Sequence, residues 1–283
     1  MAAFLAGGHI LLEDVPGVGK TTLAKALAQV TGGTISRIQC TPDLLPSDVV
    51  GFSIPIGITG EFSFKKGPIF SNVVLVDEIN RAAPRTQSAF LEAMEESQVT
   101  VEGETRSLPE PFMLIATQNP VETAGTYPLP ESQMDRFDVR LTLGYPQREG
   151  EIRLLTHSSK SHGKKPVEQV YGQELTGDIL QLVESVTVAE SLIDYVYRVG
   201  EKSRSHASVN LGISPRGLIS WVRVSKAYAL LMERDYAIPE DFHEMAYAAL
   251  AHRLVAKTEH LGLVVQDPSE ILKEILQSVQ LPL

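Results

Sequence analysis

Leu11-Leu-Glu-Asp-Val-Pro-Gly-Val-Gly-Lys-Thr21 is the stretch on which the reading of this chain turns. Ile10-Leu11-Leu12 is a short apolar run, as expected of a strand buried on both faces of a parallel sheet. A helix is expected from about Lys20 to Val30, with Leu23, Leu27 and Val30 on one face and Gly32-Gly33 ending it. Between strand and helix lies Pro16-Gly17-Val18-Gly19-Lys20-Thr21-Thr22. Phosphate oxygens need backbone N–H groups turned inward, and glycines let the chain approach closely enough to supply them. Lys20 then reaches the β- and γ-phosphates, and the Thr21 hydroxyl suits Mg²⁺. The general pattern asks for glycine at position 14, where this chain has Asp14. A glycine-rich turn with a surface lysine is the plainer reading of the same residues.

Later strands supply partners for that loop. Val73 to Val76 runs apolar into Asp77-Glu78. At the end of a buried strand, Asp77 can hold Mg²⁺ through water and Glu78 can polarise an attacking water. In an open sheet both belong at the edge that carries the phosphate loop. Phe112 to Thr117 is a further apolar strand, and Asn119 follows it. Its amide can orient water or meet the γ-phosphate, although Asn119-Pro120 is also an ordinary turn. In Asp135-Arg136-Phe137-Asp138, Arg136 fits a surface ion pair or an arginine finger given to a neighbour. Ser214-Pro215-Arg216 puts a cation in the first turn of a helix, against the dipole, so Arg216 needs a compensating partner such as a phosphate.

Around these motifs the chain changes character once. Residues 41–70 are rich in proline and glycine and suggest a long loop with short elements, and 98–108 suggest a β-hairpin. Val139 to Leu143 alternates like a less buried strand. Beyond Pro146 no strand is expected. Helices are expected at 149–157, 175–186, 190–205, 215–233 and 239–256, with an exposed loop at 158–173. Ser214 caps the fourth of these with Pro215 in its first turn. The expected organisation is an α/β domain over 1–146 and an all-helical domain over 147–283.

Composition narrows the function. The 283 residues carry a formal charge of −10, with 43% hydrophobic and 21% charged residues, so the chain has the make-up of a folded protein. The acidity is spread over both halves and weighs against a dedicated nucleic-acid binder. A single cysteine, Cys40, excludes an internal disulfide or a multi-cysteine zinc site and suits a reducing, cytoplasmic setting. No run of about 18 apolar residues is present to span a membrane. The N-terminus lacks the basic region of a secretory signal.

The motifs, in this order, resemble those of an AAA+ ATPase, and the wording resembles the MoxR family. The relevant stretches are Leu11–Thr21, Thr41–Asp48, Gly67–Phe70, Asp77–Arg81, Thr86–Ala89, Ala116–Pro120, Leu129–Glu131, Met134–Phe137 and Ser214–Arg216. The resemblance covers nearly the whole chain, and Asp14 is a familiar variation within it. It implies a three-layer αβα P-loop core with a parallel sheet and a helical lid. It implies ATP and Mg²⁺ as cofactors, with Lys20 and Thr21 as the Walker A pair and Asp77 and Glu78 as the Walker B pair. Asn119 resembles sensor 1, Arg136 an arginine finger acting in trans, and Arg216 sensor 2. Residues 50–70 resemble the helix-2 insert and 98–108 the pre-sensor hairpin, inserts that usually face a pore or a client.

A ring, usually a hexamer, is implied, because Arg136 would complete a neighbour's site. So is a client protein to be remodelled or matured, with metal insertion and a von Willebrand factor A-domain partner as family themes. Family members carry an upstream segment that helps to hold adenine. Here the chain starts almost at the first strand, so weaker nucleotide binding is expected. Two alternatives stay open. A DNA-handling AAA+ motor is kept alive by Lys65 and Lys66 in the insert. A nucleotide-gated scaffold with little turnover sits poorly with an intact Glu78. No Asn-Lys-x-Asp guanine reader is present, which disfavours a GTPase.

Overall fold

The computed structural model describes residues 1–13, 17–56, 61–119, 125–157, 173–257 and 266–282. Pro16, Asp14 and the exposed loop expected at 158–173 with its lysines (Gln173 apart) lie outside the described residues. Along the chain the strands are β1 (Ile10–Glu13), β2 (Ile35–Gln39), β3 (Gly51–Ile56), β4 (Glu61–Lys66), β5 (Val73–Asp77), β6 (Gln98–Val101), β7 (Glu104–Ser107), β8 (Met113–Gln118), β9 (Val139–Leu141), β10 (Val209–Leu211) and β11 (Val255–Ala256). The α-helices are α1 (Ala2–Leu5), α2 (Lys20–Val30), α3 (Pro46–Val50), α4 (Pro84–Glu96), α5 (Glu131–Met134), α6 (Arg148–His157), α7 (Gln173–Ser185), α8 (Glu190–Ser205), α9 (Pro215–Leu231), α10 (Pro239–Leu250) and α11 (Pro268–Ser278).

The main sheet has the order β2-β5-β8-β1-β9. β5 pairs in parallel with both β2 and β8 and is buried along its length, as its unbroken apolar sequence requires. β9 forms an edge and buries only Val139 fully. The chain divides into two compact units, one of residues 12–127 with 141–175, the other of 1–11 with 128–140 and 176–283.

In the first unit, α2 lies against β5. Its buried residues are Ala24 and Ala28, whereas Leu23 is exposed, so the face expected from Leu23, Leu27 and Val30 is displaced. Small side chains are what let a helix sit close over a central strand. In α4, Pro84 opens the helix and Phe90, Leu91, Ala93 and Met94 are buried. The stretch expected as a long loop contains α3 and an antiparallel hairpin of β3 and β4. A second hairpin joins β6 to β7 through Glu102-Gly103, both left-handed, as a two-residue turn demands. The two hairpins are tied together. The Ser53 hydroxyl donates to the Glu102 carboxylate, and the Arg106 guanidinium stacks 3.9 Å from the Phe64 ring centre.

In the second unit, Trp221 is the hub of the apolar core. Its ring meets Phe242 edge-on at 5.5 Å and lies 6.0 Å from Tyr195, and its indole N–H donates to the Phe242 carbonyl at 2.8 Å. Ser214 caps α9 by accepting from the Gly217 amide at 3.0 Å. Two sequence expectations change here. The helix expected over 239–256 stops at Leu250, and Val255–Ala256 pairs antiparallel with β10, so strands do occur after Pro146. α11 was not expected, yet Asp267 caps it, Pro268 opens it, and Ile271, Leu272, Ile275 and Leu276 are buried on one face.

Candidate active site

The N-terminus of α2 and the C-terminal ends of β2, β5 and β8 meet around a cavity of about 330 Å³. Gly17, Gly19, Lys20, Thr21 and Thr22 line it from the loop and helix, Asp77 and Glu78 from β5, Thr117 and Asn119 from β8, Arg37 and Gln39 from β2. Val18 is half-buried beside this cavity's loop and does not line it. Arg136 and Arg216 belong to the other unit, Arg136 half-buried and Arg216 exposed in the first turn of α9.

Gly17 and Gly19 have φ of 88° and 98°, a region in which side chains are strained. A Cβ on either would meet no atom within 4 Å, so the space beside the loop is left open. With Gly19 as the N-cap and no side-chain cap at this end of α2, the geometry fits a phosphate group. For Mg²⁺ the donors present are the Thr21 hydroxyl and the Asp77 carboxylate, both hard oxygens on the same cavity. Among the described residues no cluster of three or more His, Cys, Asp or Glu is placed to hold a metal.

The acids are held by neighbours that the sequence reading did not single out. Arg37 Nε donates to Asp77 Oδ2 at 2.7 Å. Asp77 is nearly buried and Arg37 is half-exposed, so the pair contributes at most about 1 kcal/mol to stability. Glu78 Oε2 accepts from Arg81 Nη1 at 3.0 Å and Gln39 Nε2 at 3.2 Å. Thr117, 1% exposed, is the link between strands: its Oγ1 accepts from the Glu78 amide at 2.9 Å and donates to Asp77 Oδ1 at 3.3 Å. The Glu78 backbone is left-handed, at φ 56° and ψ 52°. Alternation in Ile35-Ser-Arg-Ile-Gln39 puts Arg37 and Gln39 on one face, and the register sets Gln39 opposite Asp77. That alternation was the available signal. Below the acids, Cys40 is fully buried and its amide donates to the Asp77 carbonyl at 2.9 Å. Burial first, then the Asp77 and Glu78 charges, push its thiol pKa up to about 12.

This arrangement can cradle polyphosphate, hold a divalent cation between Thr21 and Asp77, and set a carboxylate beside a water. Residues 9–139 match the ATPase family associated with various cellular activities (AAA), and residues 201–275 match the AAA lid domain. The chain is 39% identical over 294 residues to Chaperone MoxR1 of Mycobacterium tuberculosis, covering all of this chain and 76% of that protein.

The chain belongs to the MoxR family of AAA+ ATPases.

Other relatives of this MoxR-family chain include YeaC of Bacillus subtilis, 49% identical over all of this chain and 88% of that one. Protein MoxR of Methylorubrum extorquens is 28% identical, covering 99% and 88%. The crystal structure of a "putative ATPase" from Cytophaga hutchinsonii superposes with a TM-score of 0.90 at 39% identity, over all of this chain and 88% of that one. Family membership implies a nucleotide site and, as a rule, Mg²⁺. Among the described residues no helix is long and apolar enough to cross a membrane.

Proposed function

We propose that this MoxR-family chain hydrolyses ATP with Mg²⁺ and uses the energy to remodel, activate or help mature a client protein, metal insertion being one form of such help. The observation that supports this best is the gathering of Lys20, Thr21, Asp77, Glu78 and Asn119 around one cavity. In this reading residues Pro16 to Thr22 cradle the phosphates and Lys20 balances their charge. Thr21 and Asp77 hold Mg²⁺, which supplies charge neutralisation on the phosphate oxygens. Glu78 takes the proton of the attacking water, and Asn119 orients that water. Arg216 acts as sensor 2. Arg136 is offered to the ATP of a neighbouring copy, so that the working form is a ring, taken as a hexamer.

The name Chaperone MoxR1, carried by a relative, supports a client-assisting role. A von Willebrand factor A-domain protein is the partner proposed, and the cytoplasm the setting. The functional division proposed is 1–146 for the catalytic core and 147–283 for the lid, a division of roles that differs from the two compact units. The test is Glu78→Gln. It is expected to bind a non-hydrolysable ATP analogue like the native chain while turnover falls by about two to four orders of magnitude. Native turnover by this variant sinks the assignment of Glu78.

A further inference from the structure

One buried cation in the helical unit has no part in the scheme above. Arg253 follows α10, its side chain is 1% exposed, and it is turned toward residues 135–138. Its Nε donates to Asp135 Oδ1 at 2.7 Å. Nη2 donates to the backbone carbonyls of Asp135 at 3.0 Å and Phe137 at 2.8 Å, and Nη1 to that of Asp138 at 3.1 Å. Nη1 also meets the Ala249 carbonyl, and Nη2 the Ser220 hydroxyl at 3.2 Å. Every nitrogen of the guanidinium is thereby committed, and most of its bonds go to the four residues that contain Arg136. A planar fork of five N–H donors can do this; a lysine cannot.

The same segment is held from other sides. The Phe137 carbonyl accepts from His252 Nε2 at 3.0 Å. Asp135 Oδ2 accepts from the Ser214 hydroxyl, and Asp138 Oδ1 from the Ser220 hydroxyl, each at 2.8 Å. α9 is built to admit Arg253, since a Cβ at Gly217 would stand 2.6 Å from Arg253 Cδ. Mere burial of a charge does not account for this pattern. A buried arginine is costly to desolvate, and a neutral apolar residue would fill the space without that cost. What the arginine adds is a fixed backbone on both sides of one residue.

We propose that Arg253 is the positioning residue for Arg136. It holds the carbonyls on either side of Arg136, and through Asp135 and Ser214 it joins that segment to the helix start that carries Arg216. This rests on the reading of Arg136 as a finger given to a neighbour, and the test separates the two.

The variants are Arg253→Lys, Asp135→Asn, Arg136→Ala and the double variant Arg136→Ala with Arg253→Lys. Arg253→Lys is expected to bind fluorescent ADP within about twofold of native and to keep KM for ATP within about twofold, while kcat falls at least tenfold. Hydrogen exchange at the Asp138 and Val139 amides, which both donate to the His9 carbonyl, should quicken. Added to Arg136→Ala, the lysine should cost nothing more in single turnover, because a residue that works through Arg136 has nothing left to position. Mixed with Glu78→Gln subunits, Arg253→Lys subunits should regain part of their activity, since their own sites are intact.

An additive loss in the double variant, or a changed ADP affinity with kcat kept, overturns the proposal and leaves the finger reading standing. Full activity of Arg136→Ala overturns the finger reading, and the proposal with it. If Arg253→Lys fails to fold, Asp135→Asn, which preserves shape and the Ser214 contact, carries the same cycle and the same mixing series.

Discussion

Thr117→Val removes one hydroxyl at the centre of the site and almost nothing else. Valine matches threonine in shape, so the change isolates two hydrogen bonds, from the Glu78 amide at 2.9 Å and to Asp77 at 3.3 Å. Loss of the first leaves a half-buried amide without its partner, which costs about 1–3 kcal/mol. The second is long and adds less. The expected loss of stability is therefore about 1–3 kcal/mol, or a few degrees of melting temperature. The effect on chemistry follows from the backbone. Glu78 sits at φ 56°, a conformation that costs a non-glycine residue about 1 kcal/mol, and the Thr117 hydroxyl is what its amide gains there. Released, the backbone that aims the carboxylate loses a restraint, while Arg81 and Gln39 still bond the carboxylate itself. At about 1.4 kcal/mol per tenfold, kcat should drop about 10- to 100-fold. The phosphate loop is untouched, so affinity for a fluorescent ATP analogue should stay within about threefold. Steady-state ATPase, nucleotide titration and thermal melting on the same preparations make the measurement, with Thr117→Ser as the variant that keeps both bonds. Native melting and native kcat in Thr117→Val would refute the argument that this hydroxyl holds Glu78.

Three further outcomes are expected. Lys20→Ala should abolish or severely weaken binding of a non-hydrolysable ATP analogue in calorimetry, and unchanged affinity would reject the phosphate-loop assignment. Arg136→Ala should bind ATP yet lose about three orders of magnitude or more of turnover. Mixing it with Glu78→Gln should restore part of the activity at concentrations that allow assembly; assembled mixtures without recovery would exclude action in trans. Cys40 should resist a thiol reagent at pH 8 in the native protein and react at once when unfolded. Because its folded pKa of about 12 lies above the ordinary value of 9.0, the stability it lends is complete below pH 9 and is lost as pH rises toward 12. Fast labelling of the native thiol would contradict this.

The parts of the site that were legible in the sequence are those in which chemistry and local structure coincide. The loop before Lys20 and the acids at the end of Val73–Asp77 announce themselves through residue type and strand pattern together. Arg37 did not, because its role depends on β2 lying next to β5, which is a fact of sheet order and not of the segment. Arg253 did not, because the groups it serves stand more than a hundred positions away in the chain. β10 and β11 are three and two residues long, too short to show a period. The α2 face was misplaced because large apolar residues were expected inside, whereas the sheet admits only the alanines. α11 is the instructive omission: its cap, its opening proline and its apolar face were all readable.

The tie between the two hairpins has a mechanical meaning. β4 runs by a short link into β5, which ends in Asp77, and β7 runs by another into β8, which ends beside Asn119. Each hairpin is thus a handle on the far end of a strand that carries part of the site. Were the handles separate, a tug on one would shear β5 along β8 and draw Thr117 away from Glu78. With Ser53 bonded to Glu102 and Arg106 laid on Phe64, the load divides between both strands. The ladder so backed sets Val73 opposite Met113 and Val76 opposite Ala116, one step short of the Asp77 and Thr117 pair that the site depends on.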